Sequence, residues 1–207
     1  MAAAEQSVTV VNKHSIIVGV SLSWLAVKGK SPETVRNELH LRCTGVPGEI
    51  PKSSFVGSHS DAGWYLIVAR GCEHRIIGGL VIKPLSIGCE VLTCTVEEHV
   101  MFSEATGWRD GQRVWSVTHK GEDGPKGIIE QGTLPSEYPG IRDNFLSQQE
   151  AEGGINAGVD FLFEIPVVLV QTFIDYKHDE ESPAFEKSGF ELLESSRKPW
   201  FKRLFSR

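Results

Sequence analysis

Apolar residues fall in short, strand-length runs through the first two thirds of the chain, and at helical spacing mainly in the last third. Ser21–Val27 partly alternates and stops at Lys28-Gly29-Lys30. Ser31-Pro32-Glu33 then reads as a helix start, with a serine cap, proline at the first helical position and an acid in the first turn. Val35 and Leu39, four apart, share that helix's buried face. Residues 43–63 carry four glycines, two prolines and several serines, and read as one long loop, past the 12–15 residues or so at which loops tend to be functional. Gly63–Arg70 is a near-continuous apolar run, the pattern of a strand buried on both faces. Trp24…Lys28-Gly29 and Trp64…Arg70-Gly71 share an order that suggests two copies of a strand–turn–helix unit.

Ile76–Ile87 is apolar but holds Gly78, Gly79 and Pro84, so any helix there is short or broken. Glu90–Glu98 reads as a strand with Val91, Thr93 and Thr95 on one face and Leu92, Cys94 and Val96 on the other. Met101–Trp108 and Arg113–His119 flank Arg109-Asp110-Gly111-Gln112, and Asp-Gly between two such runs predicts a hairpin with Trp108 and Trp115 as neighbours across it. A turn at Gly121–Pro125 precedes a further strand in Gly127–Thr133. Ile141, Phe145 and Gln149 predict a helix ending at Gly153-Gly154. A second helix is expected from Pro166, with Val167, Val170 and Ile174 inward, to about His178. Phe190–Glu194 reads as a last strand. The pattern predicts an α+β fold: a single mixed or antiparallel sheet with helices packed on one face, in one globular domain over residues 1–194.

Composition narrows the reading little. The 207 residues are 40% apolar and 23% charged, which suits a packed core and not intrinsic disorder. Lysine and arginine total 21 against 27 acids, a formal charge of −6, and no nucleic-acid partner is expected. The break is at the end. Residues 195–207 form a basic-aromatic tail in which Arg197, Lys198, Lys202, Arg203 and Arg207 alternate with Trp200, Phe201, Leu204 and Phe205. Without those five cations, residues 1–194 carry a charge near −11. The tail residues Trp200, Phe201, Lys202 and Arg203 suit weak contact with an anionic membrane or docking on the acidic body. The N-terminus lacks the basic and apolar regions of a secretory signal, and the apolar stretch Ser15–Val27 is too short to span a bilayer. Four cysteines are too sparse for a disulfide scaffold, so the expected compartment is cytoplasmic.

Chemical motifs are incomplete. Gly29-Lys30-Ser31 resembles the end of a phosphate loop, but Trp24 stands where the first glycine is required. Cys89 and Cys94 are spaced to opposite faces of a strand, no second cysteine pair exists, and neither a metal nor a cofactor is expected. Glu97-Glu98-His99, with His119 on the neighbouring strand, offers the one acid–base set: Glu97, His99 and His119 in a pocket of hydrolase type. A cysteine nucleophile at Cys72 or Cys94 would need a histidine beside it, His74 or His99. His178-Asp179-Glu180-Glu181 puts negative charge where it opposes a helix dipole, so Asp179, Glu180 and Glu181 are candidates for contact with a basic partner.

Gly63-Trp64-Tyr65-Leu66-Ile67-Val68-Ala69, Val96–Ser103 and Trp108-Arg109-Asp110-Gly111 resemble segments of uncharacterised bacterial cytosolic proteins. The resemblance spans most of the chain and implies a bacterial origin with no activity attached. Three functions follow as expectations. The first is a protein-binding module, such as an immunity protein that neutralises a basic antibacterial toxin by stoichiometric binding. The alternatives are the hydrolase around His99 and His119, and a peripheral membrane or scaffold role through the tail.

Overall fold

β1 (Ser21–Lys28) occupies the middle of a sheet and is buried on both faces, which is why its sequence alternates so poorly. This computed structural model describes residues 19–50 and 52–196; the tail residues Trp200, Phe201, Lys202 and Arg203 lie outside them. Along the chain β1 is followed by α1 (Pro32–Glu38), β2 (Leu41–Pro47), β3 (Phe55–His59), β4 (Trp64–Arg70), α2 (Gly79–Leu85) and β5 (Glu90–Glu97). Then come β6 (Phe102–Arg109), β7 (Gln112–Lys120), β8 (Ile128–Gly132), α3 (Tyr138–Ala151), α4 (Glu164–Ile174), α5 (Pro183–Glu186) and β9 (Glu191–Ser195). The nine strands form one sheet in the order β2-β9-β3-β4-β1-β5-β6-β7-β8, and every neighbouring pair is antiparallel. The fold is α+β.

Two cores lie on the two faces of this sheet. Leu22, Trp24, Leu66, Val68, Leu92 and Val96 share one core with α4, against which α3 lies. Leu25, Val27, Ile67, Val91 and Trp108 pack on the other face with Val35 of α1 and with Ile82 and Leu85 of α2. The two longest helices, α3 and α4, thus gather on one face with the short α5, as the sequence suggests, and α1 and α2 cover the other. The cover has to be double because β1, β4 and β5 present apolar side chains on both sides. α4 is buried nearly all round, with Ile165, Val167, Leu169, Val170 and Ile174 inaccessible, as befits a helix held between a sheet and another helix.

Three expectations change. Residues 43–63 are not one loop: they contain the end of β2 and all of β3, which pairs with β4 on one side and β9 on the other. Gly57 hides that strand's pattern, yet a Cβ there would come within 2.6 Å of the Tyr65 hydroxyl. The hairpin turn is at Asp110-Gly111, with φ +48° and +74° as a tight primed turn requires, but its tryptophans are not neighbours. A register shift after Gly107 sets Trp115 opposite Gly107, so Trp115 packs in the α4 core and Trp108 in the α2 core. The helix expected from Pro166 is α4, which ends at Ile174, not near His178, because Asp175 takes a left-handed conformation at φ +53°.

Candidate functional site

The left-handed turn at Asp175 decides where the chemistry lies. It sends Tyr176, Lys177 and His178 back toward the end of the sheet instead of onward in a helix. The Tyr176 ring meets Trp24 of β1 edge-on at 5.6 Å and Phe185 of α5 at 6.2 Å, while the His178 ring lies tilted against Trp24 at 5.8 Å. Lys177, its side chain only 9% exposed, reaches Glu164 Oε2 at 3.1 Å, Asp179 Oδ1 at 3.2 Å and Glu180 Oε1 at 3.0 Å. Burial alone would lower its pKa; the three carboxylates outweigh that and hold it above the ordinary lysine value. His178 Nε2 stands 2.9 Å from Glu98 Oε1, and the other Glu98 oxygen accepts from the Val20 backbone N–H at 2.8 Å. Glu98 therefore fixes the imidazole and the entry of β1 together.

These residues border a cleft of about 580 Å³ between the start of β1, the loop after α4, and α5. Leu22, Ile50, Phe185 and Phe190 supply its apolar wall, and Glu180, Glu181 and Glu186 its acidic rim. Three polar atoms of the residues around it are closed off from solvent and have no hydrogen-bond partner: the Tyr176 hydroxyl, His178 Nδ1 and the Ser182 hydroxyl. Burial keeps the Tyr176 phenol well above its ordinary pKa, so it stays protonated. Unpaired buried polar groups are few in native proteins and call for an explanation. Three beside one cleft mark it as the candidate site.

The acid–base set expected from the sequence is split. Glu97 and His99 do meet, with Nδ1 2.6 Å from Oε1, at an open corner after β5 where His99 is 57% exposed. Hydrogen bonds from Ser21 and then His99 hold the Glu97 carboxyl below its usual range. His119 is on the opposite face, wholly buried beneath the start of α4, with Nε2 2.8 Å from Asp160 Oδ2. The reason is the strand period: Glu97 points to the α2 face, whereas Val96, Ser103 and His119 form one row on the α4 face. The His/Glu pocket of His99, His119 and Glu97 is not assembled. Nor is a cysteine site, since burial pushes the thiols of Cys72 and Cys94 up and keeps them protonated. Among the described residues no group of three histidine, cysteine or acidic side chains is placed to hold a metal.

Asp179, Glu180 and Glu181 sit on the loop beyond α4, not in its last turn. Asp179 and Glu180 neutralise Lys177, and Glu180 also accepts from Gln171 Nε2 at 2.9 Å. Glu181 remains on the cleft rim. Reasoning from sequence missed Glu98, Tyr176, Lys177, His178 and Ser182. Two signals pointed near them: the run His178-Asp179-Glu180-Glu181, and the run Glu97-Glu98-His99, in which only Glu98 faces the α4 side. Comparison of the chain with protein-family models, curated proteins and solved structures gives no match, so the function rests on this geometry alone.

Proposed function

We propose that the protein is a cytoplasmic binding module that holds a basic protein partner stoichiometrically, as an immunity protein holds its toxin. One observation carries this reading. The cleft beside α5 is lined by Glu180, Glu181 and Glu186, and by no lysine or arginine among the described residues except Lys177, which is already surrounded by carboxylates. An acidic concavity with apolar walls attracts a cationic surface at long range and then buries part of it.

The test uses the protein encoded beside this chain's gene as the partner. Charge reversal belongs at Glu181 and Glu186, because reversing Asp179 or Glu180 would also strip Lys177 of its counter-charges. Stopped-flow association should slow for the Glu181→Lys, Glu186→Lys double variant, by about 10-fold at low salt, and lose most of its salt dependence. Equal rates for wild type and variant, or a partner that carries no basic surface, would overturn the reading.

The enzyme reading moves with the structure to His178 and Glu98, a histidine oriented by a carboxylate beside two hydroxyls. It lacks the contact that nucleophilic catalysis needs: neither His178 Nδ1 nor the Ser182 hydroxyl has a hydrogen-bond partner, so they do not bond to each other. For the membrane alternative, no described helix is long and apolar enough to cross a bilayer, and the tail lies outside the described residues.

A further inference from the structure

We infer that the outer side of α2, together with the tail that follows β9, is a docking surface for an anionic lipid bilayer. This goes beyond the binding reading above and does not depend on it. The starting point is a helix that is apolar on both sides. α2 buries Ile82 and Leu85 in the core beneath it, yet Leu80 is 95% exposed, and Ile87, just past the helix end, 57%. Leu80, Val81, Pro84 and Ile87 follow one another at the spacing of a single helical face, so they make a stripe and not scattered positions. The first three border a groove of about 290 Å³ with Leu39, Leu41 and Phe55, and Val81, Pro84 and Ile87 border the next. A continuous exposed stripe of this kind marks a contact surface, where single exposed apolar residues would not.

Charge decides what covers it. Arg75 and Lys83 are exposed beside the stripe and form no ion pair among the described residues, while Glu38, the acid of the same groove, is already paired with Lys30 at 2.8 Å. Ser195 at the end of β9 borders the groove too, and the next backbone N–H, of Ser196, donates to the His40 carbonyl at 2.8 Å. Residues 197–207 continue from this point with five cations, no acid, and the apolar Trp200, Phe201, Leu204 and Phe205. A second copy suits the stripe poorly, because a twofold contact would set these cations against themselves. An anionic bilayer suits both features. A leucine that projects almost wholly into water can enter the acyl boundary, and lysine and arginine around it meet the headgroups; an apolar anchor joined to a basic segment supplies the two signals that reversible membrane binding needs. The glutamates of the cleft rim belong to the α4 face of the sheet and α2 to the other, so lipid bound at α2 leaves the cleft open.

The experiment is co-sedimentation of the full chain with two kinds of vesicle: phosphatidylcholine alone, and phosphatidylcholine mixed with phosphatidylglycerol at about three to one. Binding to the mixed vesicles should be at least about 10-fold tighter and should weaken as salt is raised. The double variant Leu80→Ser, Ile87→Ser should weaken it several-fold, and so should Arg75→Glu, Lys83→Glu. Both should keep the wild-type melting temperature, since the side chains replaced are exposed. Leu80→Trp keeps an apolar projection and should bind the mixed vesicles at least as tightly as wild type. Equal binding to the two kinds of vesicle, or none to either, would overturn the inference. A dimer in sedimentation equilibrium that Leu80→Ser abolishes, without vesicle binding, would give the stripe to a second copy instead. If Trp200→Ser, Phe201→Ser abolishes vesicle binding while the α2 variants retain all of it, the tail alone is the anchor and the α2 surface falls. None of these outcomes bears on the cleft, whose test is association with the protein partner.

Discussion

Lys177 shows how far a single residue's environment can depart from its type. A lysine so little exposed is uncommon without pairing, and here it has three carboxylates, one of them on the first turn of the helix that precedes it. His119 is the corresponding case for histidine. Asp160 receives its Nε2 contact and the backbone N–H of Leu162, and these hold the Asp160 carboxyl below its ordinary pKa although burial alone would raise it. A carboxyl depressed on folding stabilises the native state above its unfolded pKa of about 4 and ceases to do so as pH falls through the folded value. Asp160→Asn should therefore cost about 1–3 kcal/mol at pH 7, and the gap from wild type should close below about pH 4. Urea unfolding at a series of pH values checks this; a gap that is constant from pH 7 to pH 3 would remove the ionic contribution.

At the scale of elements, the segment after β4 is held by side chains more than by burial. The backbone N–H groups of Cys72, Glu73 and His74 donate to the hydroxyls of Ser21, Thr95 and Ser23, at 2.8, 2.8 and 3.0 Å. Ser23 and Thr95 also bond each other at 2.9 Å across the β1–β5 pair. These small hydroxyl residues read in sequence as the weak positions of two strands. In the fold they are the partners of a connecting segment that has no ladder of its own. Thr95→Val keeps the shape and removes the acceptor, leaving the Glu73 N–H without its partner. The expected loss is about 1–3 kcal/mol, read by chemical denaturation, with faster hydrogen exchange at Glu73 and His74. An unchanged midpoint would show that the segment is held otherwise.

At the scale of the molecule, β9 closes the sheet. It inserts between β2 and β3, so the edge strand β2 pairs with nothing else, and Leu193 is buried in the α2 core. A chain ending at Lys187 should lose β2 from the sheet with β9 and melt roughly 10 °C lower. A chain ending at Ser196 keeps every described hydrogen bond and should melt within about 2 °C of the full chain. Calorimetry on the two truncations decides it, and a large drop for the longer one would assign residues 197–207 a structural role.

The sequence by itself determined the parts whose cause is local. Ser31 caps α1 through its hydroxyl on the Thr34 N–H, Asp110-Gly111 turns the hairpin, and β1, β4 and β5 are visible as apolar runs. Each follows from capping, positive φ or side-chain period within a few residues. β3 and the end of α4 were not legible, because Gly57 serves a contact with Tyr65 from the next strand and Asp175 enters a left-handed turn that nothing nearby demands. The site is almost wholly a tertiary product. Glu98 and His178 are 80 residues apart and meet only because β1 and β5 pair at the sheet centre while the loop after α4 folds back over their ends. Long-range register chose Glu98 over Glu97 and kept His119 from His99. A strand's two faces are equivalent in sequence, and only the packing of α4 tells which one is the inside.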